Sequence, residues 1–254
     1  GLWMLLAMIV PLLMLIWAAM VPYIQLPSAE ALAHVSLATF GNLPWPLVRR
    51  GLTNTLILSI AGPSLALAWS VVFSWVVLRW RHRLRLAFDF VAFLPHAVPG
   101  LIFALGALLI ALFWLRALYG SVELILIVYV ITQLAFGTRM TNSALIQVHT
   151  ELEEAARISG ASTSAVLNRV IVPLISPALI YAWLWMALFS FRELTIATML
   201  VSAQNITLPV VVWSLLYGGR TPQAAAVAVL MIVLFVPLVL LYMRLGGRRA
   251  FQPA

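Results

Sequence analysis

Cysteine is missing from all 254 residues, which excludes disulfides and thiolate metal sites. Lysine is missing as well: all 15 basic residues are arginine, a bias for which the sequence offers no functional account. Charge of either sign is scarce, at 9% of residues, and only 7 positions are acidic. Soluble domains carry about 25% charged and roughly 45–50% apolar residues. This chain is 64% hydrophobic with a mean hydropathy of +1.09, and reads as an all-α polytopic membrane protein. A net charge of +8 and a pI of about 11.0 would suggest nucleic acid for a soluble protein. Here the excess fits the positive-inside bias of membrane loops, so membrane lipid and not nucleic acid is the expected surrounding. There is no Gly-rich phosphate cradle, no HExxH, no CxxC and no Ser/His/Asp set in a soluble domain. No catalytic residue and no metal ligand set is assigned.

What is present is apolar length. A bilayer-spanning helix needs roughly 20 apolar residues. Six segments qualify: Leu2–Ile24, Leu52–Leu78, Leu86–Trp114, Val122–Met140, Val172–Phe191 and Thr221–Met243. The first lacks a small-residue cleavage site and so reads as a span, not a signal peptide. Ser28–Phe40 reads as a short amphipathic helix. Asn205–Gly219 is too short to span; it reads as an interfacial or re-entrant helix from near Leu208-Pro209 to Gly218-Gly219, with Trp213 and Tyr217 suited to the headgroups. Arg79, Arg81, Arg83 and Arg85 follow the second span, Arg244, Arg248 and Arg249 the sixth, and Arg139, Arg157 and Arg169 attend the loop after the fourth. The positive-inside rule makes these loops and both termini cytoplasmic, leaving Arg49 and Arg50 outside against the rule.

Several spans are irregular. The second carries Asn54 and Gly62-Pro63; the third opens with Pro95, His96 and Pro99, and two prolines four apart kink or break a helix. Broken backbone at membrane depth is tolerated inside protein or beside a water-filled cavity, so this is either a packing kink or a wall of a pathway. His96 is either a polar packing residue or a ligand. Gln133, mid-span, either joins two helices or faces the pathway. Arg192-Glu193, at the outer end of the fifth span, either snorkel separately or form a gate or substrate-path pair. Asp89 can pair with Arg85 on its own helix. Pro95, His96, Pro99, Gln133, Arg192 and Glu193 are thus the candidate pathway residues.

The polar island Glu151–Pro173 stands apart from all of this. Three of the chain's acidic residues, Glu151, Glu153 and Glu154, fall within four positions. At helical spacing Leu145, Val148, Leu152, Ala156 and Ser159 share a face, with Glu154 opposite. Glu153 and Arg157 are spaced i,i+4, acid first. Gly160 ends the helix, because glycine takes the left-handed conformation without a Cβ clash. Ser162 or Thr163 caps a second short helix running to Val172, and Pro173 and Pro177 mark the return to the membrane. The pattern suits either a solvated loop or a docking element in which Ala155, Ala156, Gly160 and Ala161 let another backbone come close.

Glu154-Ala155-Ala156, three residues, Gly160, nine residues, then Val170-Ile171-Val172-Pro173 resembles the EAA loop of binding-protein-dependent ABC transporter permeases, whose pattern is EAA, three residues, Gly, nine residues, I-x-L-P. Val170 and Val172 depart from it by apolar exchange only. Arg192-Glu193-Leu194 and Leu208–Trp213 are similar to the ferric-iron group, although sulfate, polyamine and phosphonate permeases share the frame. The resemblance implies a single transmembrane permease domain over 1–254, with a core at 52–243 and a cytoplasmic coupling loop at about 141–173, in a bacterial inner membrane. It implies that Glu154, Ala155, Ala156, Gly160 and Pro173 couple to a separate ABC ATPase subunit, which binds ATP and Mg, so that no cofactor belongs to this chain. Glu154 is implied to orient the Gly turn by accepting N–H bonds from the next helix. The implied partners are that ATPase, a second permease half and a periplasmic substrate-binding protein. The abrupt start at Gly1 suggests one half of a longer ferric-iron-type permease. The contrasting reading is a membrane-embedded enzyme or scaffold without ATPase coupling.

Overall fold

The computed structural model describes residues 2–79 and 85–247; every regular element among them is helical. In order these are α1 (Leu2–Met20), the single turns α2 (Ala29–Leu32) and α3 (Ala38–Gly41), α4 (Trp45–Arg79), α5 (Arg85–Ala97), α6 (Gly100–Phe113) and α7 (Val122–Ile146). Then come α8 (Thr150–Ile158), α9 (Thr163–Val166), a π-helical turn (Leu167–Ile171), α10 (Val172–Phe191), α11 (Thr195–Met199), α12 (Leu208–Tyr217) and α13 (Thr221–Gly247).

Helices in lipid gain nothing from hydrophobic exclusion between them, so close packing through small residues draws them together. The spine of the fold, α4 against α7, follows this rule. Gly62, Ala66, Ser70 and Ser74 recur every four residues on α4 and all are buried. Opposite them lies Gly137, where an added Cβ would collide with Ser70 Oγ and stand 3.0 Å from Ser70 Cβ. Ser74 Oγ donates to the Thr138 carbonyl at 3.2 Å across the same seam. The α10 helix packs on both α4 and α7, α1 lies along α13, and α12 fits between α4 and α13. There Gly51 permits the approach, since a Cβ would stand 2.9 Å from Val211 Cγ2.

Among the described residues four helical stretches are long and apolar enough to cross a membrane, Trp45–Arg79, Val122–Ile146, Thr163–Phe191 and Thr221–Arg244, and the bent pair α5–α6 makes a fifth if counted as one broken span. The expected third span, Leu86–Trp114, is instead two helices bent by 104°. The residue before a proline is driven out of the α region, so Val98 ahead of Pro99 breaks what Pro95 had already weakened. At 13 and 14 residues the halves are each about 20 Å long, well short of a bilayer core. The expected amphipathic helix over Ser28–Phe40 is two separate turns, the first capped by Ser28 Oγ on the Ala31 N–H at 3.1 Å. The fifth span does not begin at Val172. Helix runs unbroken from Thr163, and the π turn just ahead of Pro173 accommodates a residue that has no N–H to donate and whose ring crowds the carbonyl four residues back. The α12 helix starts and stops where expected, with Gly219 at φ +73°, but buries Leu208, Val210, Val211 and Leu215 against the bundle. Arg81, Arg83, Arg248 and Arg249 lie outside the described residues.

Candidate functional site

Two regions at opposite ends of the long helices gather the polar residues singled out above. The first is the hairpin of α8 and α9. Its turn is a complete Schellman motif: the Gly160 N–H donates to the Arg157 carbonyl at 2.9 Å and the Ala161 N–H to the Ala156 carbonyl at 3.0 Å, with Gly160 at φ +84°. Nothing lies within 4 Å of a Cβ built on Gly160, so the requirement for glycine is conformational, not steric crowding. Ser162 caps α9, accepting from the Ala165 N–H at 3.3 Å. Ala156 and Ala161 rest on an apolar cluster of Leu145, Val148, Val166, Ile171 and Ile175, joined by Trp75 and Leu78 from α4.

Three expectations for this hairpin are corrected. Leu145 and Leu152 do not share a helix face, because Gln147–His149 interrupts the helix; Leu145 is buried and Leu152 is 48% exposed. Glu153 does not pair with Arg157. Its Oε1 accepts from Arg79 Nε at 2.6 Å, and both side chains are largely buried. Glu154 does not orient the Gly turn. It is exposed, and the first turn of α9 is capped by Ser162. Glu154 and Ala155 instead face outward beside Leu152 and the 88% exposed Ile158. Pro173 is exposed within the continuous helix.

The second region is a cavity of about 420 Å³ where the α5–α6 break meets α7, α10 and the segment that follows it. Pro95, His96 and Pro99 line it from the break, Gln133 from α7 and Glu193 from beyond α10, so five of the six candidate pathway residues converge. Tyr129, Phe136, Trp185 and Phe189 supply aromatic walls. Gln133 joins two helices and also lines the cavity. Its Nε2 donates to Ser190 Oγ at 2.7 Å, joining α7 to α10, while its Oε1 is buried without a partner. Arg192 and Glu193 do not pair with each other. The Arg192 guanidinium sits 4.7 Å from the centre of the Phe189 ring, and Glu193 Oε1 accepts from the Ile196 N–H at 2.7 Å, starting α11. His96 lies beside Phe93, with ring centres 5.7 Å apart. Asp89 reaches Arg139 on α7 at 3.4 Å, not its helix neighbour Arg85.

Residues 65–250 match the family described as "Binding-protein-dependent transport system inner membrane component". The chain belongs to that family. This permease component is 29% identical over 196 residues to the Fe(3+)-transport system permease protein FbpB 2 of Haemophilus influenzae, covering 74% of this chain and 38% of that protein. It is 29% identical over 163 residues to the spermidine/putrescine transport system permease protein PotC of the same organism, covering 64% of this chain and 63% of that one. The chain thus spans less than two thirds of the length of either relative. A bacterial ABC transporter that imports the acidic polysaccharide alginate shares the fold at a TM-score of 0.73 and 17% identity, over 98% of this chain and 92% of that one. An inward-facing MetNI methionine ABC transporter gives 0.63 at 18% identity, over 78% and 94%.

Within the permease component, sequence reasoning missed Arg79. Its Nη2 also donates to the carbonyls of Leu145 at 3.4 Å, in the last turn of α7, and Val148 at 3.0 Å, just beyond that helix. The Leu145 carbonyl accepts from the Val148 N–H as well, and a cation at a helix C-terminus is favoured by the helix dipole. The only signal was three clustered acids among 7 in the chain and an arginine ending the second span, which does not say which acid is buried or which arginine it meets.

Proposed function

We propose that this chain is the membrane-spanning subunit of an ATP-driven ABC importer, embedded with both termini on the cytoplasmic side. A solute arrives from a periplasmic binding protein. It passes between this subunit and a second permease half, and the cavity at the α5–α6 break contributes to the passage. ATP and Mg are bound by a separate ATPase that grips α8. The observation that carries this reading is the exposed edge of α8, where Leu152, Glu154, Ala155 and Ile158 stand clear of the bundle on a hairpin whose turn is fully hydrogen-bonded. An apolar edge on a rigid hairpin at a membrane face suits a protein partner better than it suits water.

The proposed solute is ferric iron, supported by the likeness to FbpB 2 and by the Arg192–Trp213 stretch; the equal identity to a polyamine permease makes protonated amines the competing cargo. Glu154→Lys tests the coupling. Glu154 is exposed, so the variant should fold and reach the membrane at the normal level, yet lose ATPase co-purification and uptake. Normal uptake removes the docking role. Uptake of labelled iron in a deletion strain, with and without excess spermidine, separates the two cargoes.

A further inference from the structure

We infer that Arg79 and Glu153 are positioning residues that lock the hairpin to α4 and make α4 a rod joining the inner docking surface to the outer loop at 203–208. The inference rests on the importer reading above. Its first support is the joint at Gln147–His149, the only non-helical residues between α7 and α8. Left alone, three such residues are a hinge, and a push on α8 would be absorbed there. Arg79 spans that hinge. Its guanidinium holds the Leu145 carbonyl before the joint, the Val148 carbonyl within it and Glu153 beyond it. A planar guanidinium with donors in a fixed fork can fill these positions together; a flexible ammonium cannot.

The second support is what lies along the same helix. One turn before Arg79, Trp75 and Leu78 form the floor on which Ala156 and Ala161 sit. At the other end of α4, Asn54 Nδ2 donates to the carbonyls of Gln204 at 3.0 Å and Ile206 at 2.8 Å. Thr55 Oγ1 accepts from the Leu208 N–H at 2.8 Å, and Arg50 Nη1 donates to the Ala203 carbonyl at 2.7 Å. One continuous helix of 35 residues is therefore fastened at both ends, to the hairpin and to the outer segment. This gives Arg50 a place on the outer side, where loop-charge counting leaves it unexplained.

The test separates tethering from folding. Single neutralisations strand a buried charge, so the informative variant is Arg79→Met with Glu153→Gln, which strands none. Permease–ATPase complexes are purified, placed in proteoliposomes, and assayed for ATP hydrolysis and uptake with and without loaded binding protein. The expected result is retained ATPase binding and basal hydrolysis, with stimulated hydrolysis and uptake lower on the order of 10-fold, within the range by which such network changes alter coupling. Wild-type stimulation and uptake overturn the inference. If the double variant fails to accumulate, Arg79→Cys with Glu153→Cys serves. This sequence has no other cysteine, so with cysteine-free partner subunits a reversible bifunctional thiol reagent bridges only this pair. Stimulation should return on bridging and fall again on reduction; indifference to the bridge overturns the inference. A wild-type chain that purifies without any ATPase removes the importer reading itself, a failure distinct from loss of the clasp alone.

Discussion

The hairpin end and the cavity end of the long helices are built on opposite principles. At the hairpin, Arg79, Glu153, Gly160, Ala161 and Ser162 each have their partners, and in the apolar cluster beneath only Trp75 Nε1 is buried without one. At the cavity, Gln133 Oε1 is buried and unpartnered, the helix is broken at Val98-Pro99, and Arg192 and Glu193 turn apart onto a ring and a backbone N–H. A matched clasp of charge and carbonyls has one low-energy arrangement; an orphaned amide oxygen beside a cavity leaves a group free to take a new partner. The contrast teaches a division of labour. On the importer reading, the hairpin is the part that transmits force and the cavity the part that rearranges. On that reading the clasped hairpin serves as the rigid part and the cavity as the bistable contact that such transitions use.

The comparison breaks most readily at Glu153. Glu153→Ala leaves the Arg79 guanidinium buried without its carboxylate, which should cost about 3–5 kcal/mol, the usual penalty for removing one partner of a buried pair. Thermal unfolding in detergent should show the loss, and Arg79→Met in the same chain should recover most of it. No change on Glu153→Ala would mean that the pair is not a fixed feature and that the inner end is no more rigid than the outer.

Gly160 sharpens the same point more gently. An L-residue at φ +84° should cost about 1–2 kcal/mol, and asparagine less. Gly160→Val should abolish uptake while Gly160→Asn retains part of it, read as transport at equal membrane level. If both are equally inactive, the partner requires a surface without a side chain, and backbone conformation is not what matters.

Much of this was legible from residue order. Gly160, Ala156 and the capping Ser162 were readable because turn and cap chemistry is local: a glycine at C′ and a serine at N-cap act on backbone groups within four residues. The break at Pro95–Pro99 was readable for the same reason, as a missing donor and a ring clash. The Arg79–Glu153 pair was not, because it joins positions 74 residues apart and an i,i+4 neighbour, Arg157, offered a local partner that the fold declines. Burial decided it. An arginine that bonds a buried carboxylate and the Leu145 and Val148 carbonyls together outcompetes a solvated helix-surface pair, worth only about 0.3–0.5 kcal/mol. The small-residue stripe of α4 was hidden by its own blandness, since Gly62, Ala66 and Ser70 signify close approach only when Gly137 stands opposite.

At the cavity the expected effects on stability shrink while those on transport grow. Gln133→Leu removes one interhelical hydrogen bond, worth about 0.6 kcal/mol in a membrane helix pair, and also the unpartnered Oε1. Burying an unsatisfied acceptor carries its own penalty, so the two changes nearly cancel. Thermal stability should move by less than about 1 kcal/mol in either direction. If Oε1 meets the solute, uptake should fall with the ATPase still stimulated, the reverse of what the hairpin variants give.

Arg192→Gln is the smallest structural change. The guanidinium is exposed and its contact with Phe189 is a cation–π pair, worth about 0.5–1 kcal/mol at such a site. Its removal should leave the fold intact, because no buried partner is stranded: Glu193 keeps its bond to the Ile196 N–H. What changes is the charge beside the cavity. A cationic solute approaching Glu193 would meet one less positive group, so its apparent KM should fall, while an anionic solute would bind less well. Uptake kinetics of the same solute in Arg192→Gln and in Arg192→Lys, which keeps the charge but stacks less well, separate charge from ring contact. Identical kinetics in all three proteins would show that Arg192 faces away from the passage, and the rearranging end of the comparison would then rest on Gln133 and the helix break alone.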